Sequence, residues 1–118
     1  MIIRKKIESM IAKSYQVQPE YPWRNHKDYA VYRHKDNHKW FALIMDLSPD
    51  KLGLEGDEAI DVINVKVDNA FIGPLRKKKG IYPAYHMNKS HWISINLNEF
   101  NDLEALIGFI DESHELTQ

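Results

Sequence analysis

The sequence predicts an α+β fold: an antiparallel sheet of four or five strands with N- and C-terminal helices and a short middle helix. Apolar residues recur at three- and four-residue steps near both ends of the chain, as amphipathic helices require. Between the ends lie β-branched and aromatic runs separated by turn residues, which is typical of strands. Consecutive strands bounded by helices favour an antiparallel sheet that is covered on one face.

The length of 118 residues suits a single domain, 1–118, with one hydrophobic core. A hydrophobic fraction of 43% and a charged fraction of 28% are typical of a globular protein that does not enter a membrane. Charges within the first 13 residues interrupt the apolar run that a signal peptide requires, so we expect a cytoplasmic protein. The chain has no cysteine, which excludes disulfides, thiolate metal sites and cysteine nucleophiles.

The first predicted element is an N-terminal helix that ends before Pro19 and Pro22, because prolines remove backbone donors and favour extended neighbours. Trp23, just beyond them, is expected to close one edge of the core. The inward stripe of this helix is expected to comprise Ile3, Ile7, Met10, Ile11 and Ser14.

A hairpin is predicted next, from strands over residues 29–34 and 40–46. Asp36 and Asn37 are the turn residues that tolerate left-handed backbone, so we expect them to make the tight turn. Residues 47–59 contain proline, glycines and charges, and they predict an exposed loop or irregular hairpin.

Two further strands are predicted in the second half of the chain. Alternation over residues 63–68 predicts one buried face and one wet face, with Asn64 and Lys66 on the wet side. Residues 91–97 predict another strand, and residues 81–87 a further irregular one, which accounts for the uncertainty between four and five strands.

Capping residues mark the other two helices. Asp68 is expected to cap a short helix, which Pro74 either interrupts or restarts for a second turn that ends at Gly80. Asn101 followed by Glu104 resembles a capping box at the start of the last helix. The inward stripe of that helix is expected to comprise Leu103, Leu106, Ile107 and Ile110.

The net charge of −1 conceals an uneven distribution of charge along the chain. Residues 66–91 hold six basic side chains against Asp68 alone, whereas residues 99–118 hold six acidic side chains and no basic one. Such asymmetry indicates a charged partner surface. The alternative is that the two segments face one another in the fold.

The segment 82–92 carries more side-chain chemistry than a connection between two elements requires. Its candidate functional residues, the motif loop, are Tyr82, Tyr85, His86 and Asn88. The nearby candidate nucleic-acid-binding residues are Arg76, Lys77, Lys78, Lys79 and Lys89.

Three segments together resemble the MmcQ/YjbR family: WFA at 40–42, VINVK at 62–66, and PAYHMNK at 83–89 followed by His91 and Trp92. The similarity covers roughly residues 20–116, and the last of these segments is its most specific part. The resemblance implies a small α+β fold of the frataxin-like (CyaY-like) kind and a DNA-binding role. Many relatives have an Asp-Pro pair where this chain has Asp68-Asn69.

Two functions follow from these residues. In the first, the candidate basic residues neutralise phosphates, while the tyrosines and Asn88 of the motif loop stack on bases or bond to them, which makes DNA the partner. In the second, the motif loop lines a groove between the sheet and the final helix that binds a protein or a small ligand.

Catalysis and metal binding are not expected. His86 and His91 lie five residues apart with no third ligand placed by the sequence, so we expect no metal and no cofactor. Ser90 and His91 are neighbours that point to opposite faces of an extended chain, and no nucleophile elbow or phosphate-binding loop is present. We therefore expect a protein that is not an enzyme.

Overall fold

The computed structural model describes residues 1–118, and it has the predicted α+β order of elements. The helices are α1 (Arg4–Tyr15), α2 (Ile72–Arg76) and α3 (Leu103–Leu116). The strands are β1 (Ala30–Arg33), β2 (Trp40–Leu47), β3 (Ile60–Lys66), β4 (Ile81–Pro83) and β5 (Trp92–Asn96). Short 3-10 turns lie at Pro49–Leu52 and Asn69–Phe71. None of the helices is long and apolar enough to cross a membrane.

The five strands form one antiparallel sheet in the order β1-β2-β3-β5-β4. The chain passes through α2 to the far edge, makes β4, and returns through the motif loop to place β5 beside β3. Pro83 lies on the edge strand β4, where its missing N–H leaves no gap inside the sheet. The register sets Leu43 opposite Asn64, and Asn64 opposite Ser94.

Helices α1 and α3 cover one face of the sheet and form the larger part of the core there. Ile7 and Ile11 of α1 and Leu106 and Ile110 of α3 are fully buried against the sheet. The predicted stripe of α1 is wrong at its two ends, because Ile3 is the exposed N-cap and Ser14 is also exposed. The helix therefore contacts the core through its two central turns.

The opposite face of the sheet is also buried, which corrects the expectation of a wet face. Apolar side chains from β1, β2 and β3 form a second cluster there: Tyr29, Val31, Leu43, Met45, Leu47, Ile60 and Val62. No α-helix covers this cluster. Trp23, Leu54, Tyr85 and Met87 pack on it from three loops, so the loops supply the second layer. Asn64, predicted to be wet, is fully buried between the sheet and these loops.

The predicted β1–β2 turn forms, but the residue with left-handed backbone is His38, at φ 63°, and not Asp36 or Asn37. The side chains of the two predicted residues make the turn in another way. Asp36 Oδ1 accepts from the Asn37 N–H at 2.8 Å, and Asn37 Oδ1 accepts from the Lys39 N–H at 2.8 Å. These side-chain bonds supplement the backbone bonds of the turn, His34 N–H to Lys39 O at 2.9 Å and His38 N–H to His34 O at 3.1 Å, and the left-handed backbone falls at the next residue, His38.

The capping residue before α2 is the predicted one, whereas the capping residue of α3 differs from the prediction. Asp68 Oδ1 accepts from the Ala70 N–H at 2.9 Å, as predicted. The cap of α3 is Asp102, whose Oδ1 accepts from the Ala105 N–H at 3.0 Å. Asn101, the predicted cap, instead accepts a hydrogen bond from the N-terminal amine of Met1. The start of α3 is thereby joined to the start of the chain.

Helix α2 ends at Arg76, so the basic residues that follow form a turn and not a second helical segment. Gly80 closes that turn at φ 87°. A Cβ at this position would lie 3.1 Å from Phe100, at a backbone angle that L side chains rarely adopt. Glycine is therefore required for Lys77–Lys79 to turn back into β4.

Candidate functional site

The motif loop is fixed to the sheet by two buried polar side chains. Asn64 and Ser94 face each other across β3 and β5, and the Ser94 hydroxyl donates to Asn64 Oδ1. Asn64 Nδ2 donates to the Tyr85 carbonyl at 2.7 Å, and the Tyr85 N–H donates to Ser94 Oγ at 2.9 Å. Both backbone groups of Tyr85 are therefore bonded to the sheet, which holds this point of the loop in one position.

Two of the four motif residues have structural partners. The Tyr82 hydroxyl donates to Glu99, and burial together with this carboxylate raises the pKa of Tyr82 to about 12. Asn88 Oδ1 accepts from the Ser90 N–H at 2.8 Å and closes a local turn. Each of these two side chains therefore has a hydrogen-bond partner within the protein.

The other two motif residues, Tyr85 and His86, belong to a group of rings that we call the ring cluster: His26, Tyr29, Tyr85 and His86. The His26 ring stacks on Tyr29 at a centroid distance of 4.3 Å and an interplanar angle of 12°. The His86 ring lies 4.2 Å from Tyr85, 6.1 Å from Tyr29 and 6.5 Å from His26. Tyr29 is buried, Tyr85 is half-buried, and both histidines are exposed.

His86 has an unusual backbone and an electropositive environment. Its φ of 69° lies in the left-handed region, which a residue other than glycine adopts only at a cost. Burial lowers the pKa of His86, and the charges of His26, Lys51 and Lys89 lower it further. The folded environment therefore favours the neutral imidazole.

The basic residues divide into two groups. The Arg76 guanidinium donates to the carbonyl oxygen of Lys89, which joins the end of α2 to the motif loop. Lys77 and Lys89 are exposed beside this contact. Lys78 instead lines a cavity together with Glu112, and Lys79 lines another together with acidic residues at the start of α3.

The acidic C-terminal segment therefore borders part of the basic one. The cavity that Lys79 lines also contains Glu99, Asp102 and Glu104. The structure thus brings Arg76 to Lys89 at the motif loop, with the exposed Lys77 next to Arg76 in sequence, and it places Lys78 and Lys79 next to opposite charge. The interpretation that the two segments face one another in the fold therefore holds for Lys78 and Lys79.

The prediction that the motif loop lines a groove between the sheet and the final helix is wrong. Tyr85 and Met87 pack on the loop-covered face of the sheet, whereas α3 packs on the opposite face. A cavity of about 350 Å³ does adjoin α3, but it lies against the α2 region and is lined by Phe71, Leu75 and Phe109. No residue of the segment 82–92 lines it.

Sequence reasoning did not find His26, Tyr29 or Lys51 as site residues. Tyr29 was assigned to a strand, and His26 and Lys51 lie in loops far from the motif in sequence. Only the packing of three loops on one sheet face brings them to Tyr85 and His86. The one available signal was the aromatic and histidine content of residues 21–29, next to the two prolines.

Comparison with known proteins identifies relatives over the whole chain. A family model described as YjbR matches residues 12–116. The chain is 39% identical to "Uncharacterized protein YyaQ" of Bacillus subtilis (strain 168), over all 118 residues and the full length of both proteins. A crystal structure of a Pseudomonas syringae protein is 45% identical and superposes with a TM-score of 0.96, covering 99% of this chain and 100% of that one.

A more distant crystal structure shows the same fold. A Deinococcus radiodurans protein with a DUF419 domain is 21% identical and superposes with a TM-score of 0.73, over 98% of this chain and 78% of that one. At this identity the likeness concerns the arrangement of helices and strands alone.

Proposed function

The chain belongs to the YjbR family, and from that premise and its local charge we propose that it is a non-catalytic nucleic-acid-binding protein, with DNA as its expected ligand. The observation that carries the proposal is the contact of the Arg76 guanidinium with the Lys89 carbonyl. This contact converts two basic segments that are separate in sequence into one surface. We call Arg76, Lys77 and Lys89 the basic surface.

The physical basis is phosphate neutralisation. Each Lys or Arg that contacts a phosphate releases condensed counterions, and each contact contributes about −0.9 to the slope of log affinity against log salt for duplex DNA. A surface of three cations therefore supports a slope of about −3. Lys51 and Lys89 also act on His86, so the positive potential extends from the end of α2 across the motif loop.

The acidic segment limits this surface. Lys78 and Lys79 border carboxylates of α3, which reduce the potential on that side. The net charge of −1 means that the rest of the molecule adds no general attraction for a polyanion. Binding is accordingly local and moderate, and it depends on a few named side chains.

A salt titration tests the proposal. Affinity for a short DNA is measured at several NaCl concentrations for the wild type and for the Lys77→Ala/Lys89→Ala variant. The variant is expected to flatten the slope by about two units, because two phosphate contacts are lost. The matched control is Lys6→Ala/Lys13→Ala, which removes two exposed lysines from α1 and is expected to leave the slope unchanged. Absence of binding at low ionic strength would refute the proposal.

A second candidate function, binding of a small ligand or peptide, is favoured by the cavity between α2 and α3. Phe71 is 57% exposed there, next to Leu75 and Phe109, which is an unusual position for a large apolar side chain. An NMR titration with a small aromatic compound such as indole tests it. Shifts confined to Leu75 and Phe109 support this function, and unchanged spectra at millimolar compound reject it.

A further inference from the structure

We infer that the ring cluster is a base-stacking site, so that the protein takes single-stranded nucleic acid in preference to duplex. The inference rests on the proposed function and names its substrate class. It is carried by the geometry of His26, Tyr29, Tyr85 and His86, which converge from two loops on one side of the sheet.

The ring cluster presents two rings to solvent. His26 stacks by one face on the buried Tyr29, and it remains exposed. His86 is exposed as well, at a steep angle of 64° to His26. Neither imidazole makes a hydrogen bond through its ring nitrogens, so these atoms are free to bond to a ligand. The exposed His26 ring, stacked on the buried Tyr29, offers a planar surface to a further ring.

The left-handed backbone of His86 fixes where its ring lies. Left-handed backbone at a residue other than glycine costs on the order of 1 kcal/mol or more. Here the backbone turns the His86 ring against Tyr85 at a centroid distance of 4.2 Å, so ring packing offsets part of the cost. His38 has a similar backbone angle without joining any group of rings, so it is the position of the His86 ring, and not the backbone angle alone, that makes it a candidate ligand contact.

The two tyrosines of the ring cluster are already fixed in the folded protein. Tyr85 is bonded to Asn64 and Ser94 through both of its backbone groups, and Tyr29 is buried beside Trp23 at a centroid distance of 5.7 Å. Rigid rings lose little entropy when a ligand binds, which increases affinity. The exposed His26 and His86 are therefore packed on rings whose positions are fixed.

The charges near the ring cluster indicate the class of ligand that it would bind. Lys51 and Lys89 are the cations whose field acts on His86, so an anionic group next to a stacked ring is the complementary chemistry. A nucleotide combines a planar ring with a phosphate. In a duplex both faces of each base are covered by its neighbours, so only an unpaired base can stack on the cluster. A metal ion is the weaker alternative, because no third His, Cys, Asp or Glu joins the two histidines.

Two glycine variants provide a matched test. His86→Gly removes one ring and also relieves the left-handed backbone, so the variant is expected to fold at least as well as the wild type. His38→Gly is the control, since His38 is also an exposed histidine with left-handed backbone, at φ 63°, in the β1–β2 turn. Fluorescence anisotropy measures binding of a labelled oligothymidylate and of the duplex that it forms with oligoadenylate.

The wild type is expected to bind the single strand more tightly than the duplex. His86→Gly is expected to weaken single-strand binding roughly tenfold, and to leave duplex binding and thermal stability unchanged. His38→Gly is expected to match the wild type throughout. If His86→Gly binds the single strand as the wild type does, while Lys77→Ala/Lys89→Ala still flattens the salt slope, this inference is overturned and the proposed function stands.

A second measurement separates the two ideas if neither oligonucleotide binds. Thymidine 5′-monophosphate is titrated while the ring proton resonances of the histidines are followed by NMR. Shifts of His26 and His86 without shifts of His38, together with a rise in the pKa of His86, support the ring cluster as a nucleotide site even though the proposed function has failed. Equal or absent shifts at all three histidines overturn it.

Discussion

His114 joins three elements through its ring. It stacks on Tyr15 of α1 at 4.4 Å, and it lies 4.2 Å from His34, which follows β1, and 4.9 Å from Phe41 of β2. Burial and His34 lower the pKa of His114, and they outweigh the opposite effects of Asp111, Glu115 and Asp36. The folded state therefore favours the neutral imidazole.

This preference makes stability depend on pH in a defined direction. Above the ordinary His pKa of 6.5 the ring is neutral in the folded and unfolded chains, so it contributes no pH dependence. As the pH falls below 6.5 the unfolded chain takes up the proton first, and the free energy of unfolding decreases. We expect urea midpoints to fall between pH 6.5 and pH 5 in the wild type, and to fall less in His114→Phe, which keeps a ring against Tyr15. Parallel curves for the two proteins would contradict this account.

Individual residues were predictable only where a local pattern identified them. Tyr85 and His86 stand in a dense motif and were selected, and the Asp68 cap was identified from its position. Ser113 was not: its hydroxyl donates to the Phe41 carbonyl at 2.6 Å and accepts from the Lys66 N–H at 2.8 Å, linking α3 to two strands. No spacing rule places a helical serine between two strands, because the contact depends on how the helix lies on the sheet.

Strand β2 separates the two halves of the core. Leu43 and Ile44 are neighbours, both fully buried, and they point to opposite faces of the sheet. Ile44 contacts the cluster beneath α1 and α3, whereas Leu43 contacts the cluster beneath the loops. Substituting each residue of this pair in turn therefore compares the packing under the helices with the packing under the loops within one strand.

We expect Leu43→Ala and Ile44→Ala each to lower the free energy of unfolding by about 2–5 kcal/mol, because both remove fully buried methyl groups. Urea denaturation with unchanged m-values measures the effect. A loss below about 1 kcal/mol for Leu43→Ala alone would mean that the loops pack loosely and close over the cavity. In that case the ring cluster, which stands on the same loops, would also lack a fixed base.

The type and order of the elements followed from sequence periodicity, but the covering of the sheet did not. Alternation in β3 and β5 correctly separates Ile63 and Ile95 from Asn64 and Ser94. The sequence predicts a wet position for Asn64 because polar residues on alternate strand positions usually face water. Here the loop backbone satisfies Asn64 and Ser94, and a loop that binds through its backbone leaves no pattern in the sequence.

Most charged side chains of the molecule do not take part in ion pairs. Its three ion pairs are Arg4 with Glu8 at 3.3 Å, Arg4 with Asp61 at 3.9 Å, and Arg33 with Glu20 at 3.2 Å, all at least partly exposed. Neither Lys79 nor the carboxylates that share its cavity belong to this set. Long-range attraction between the basic turn and α3 is therefore a screened surface effect, while the two apolar clusters supply most of the stability.

Salt is accordingly expected to affect binding far more than folding. Between about 0.1 M and 1 M NaCl the Debye length falls from roughly 10 Å to 3 Å, and nucleic-acid affinity is expected to fall steeply, whereas the free energy of unfolding changes by about 1 kcal/mol or less.

Lys79→Ala tests the contribution of the turn formed by Lys77–Lys79 to stability, and Lys6→Ala on α1 is its control. Because Lys79 borders Glu99, Asp102 and Glu104, its loss is expected to cost up to about 1 kcal/mol at 0.1 M and less at 1 M. A large loss of stability that persists at 1 M would show that Lys79 pairs closely with α3. The positive potential available to a polyanion would then be confined to Arg76, Lys77 and Lys89.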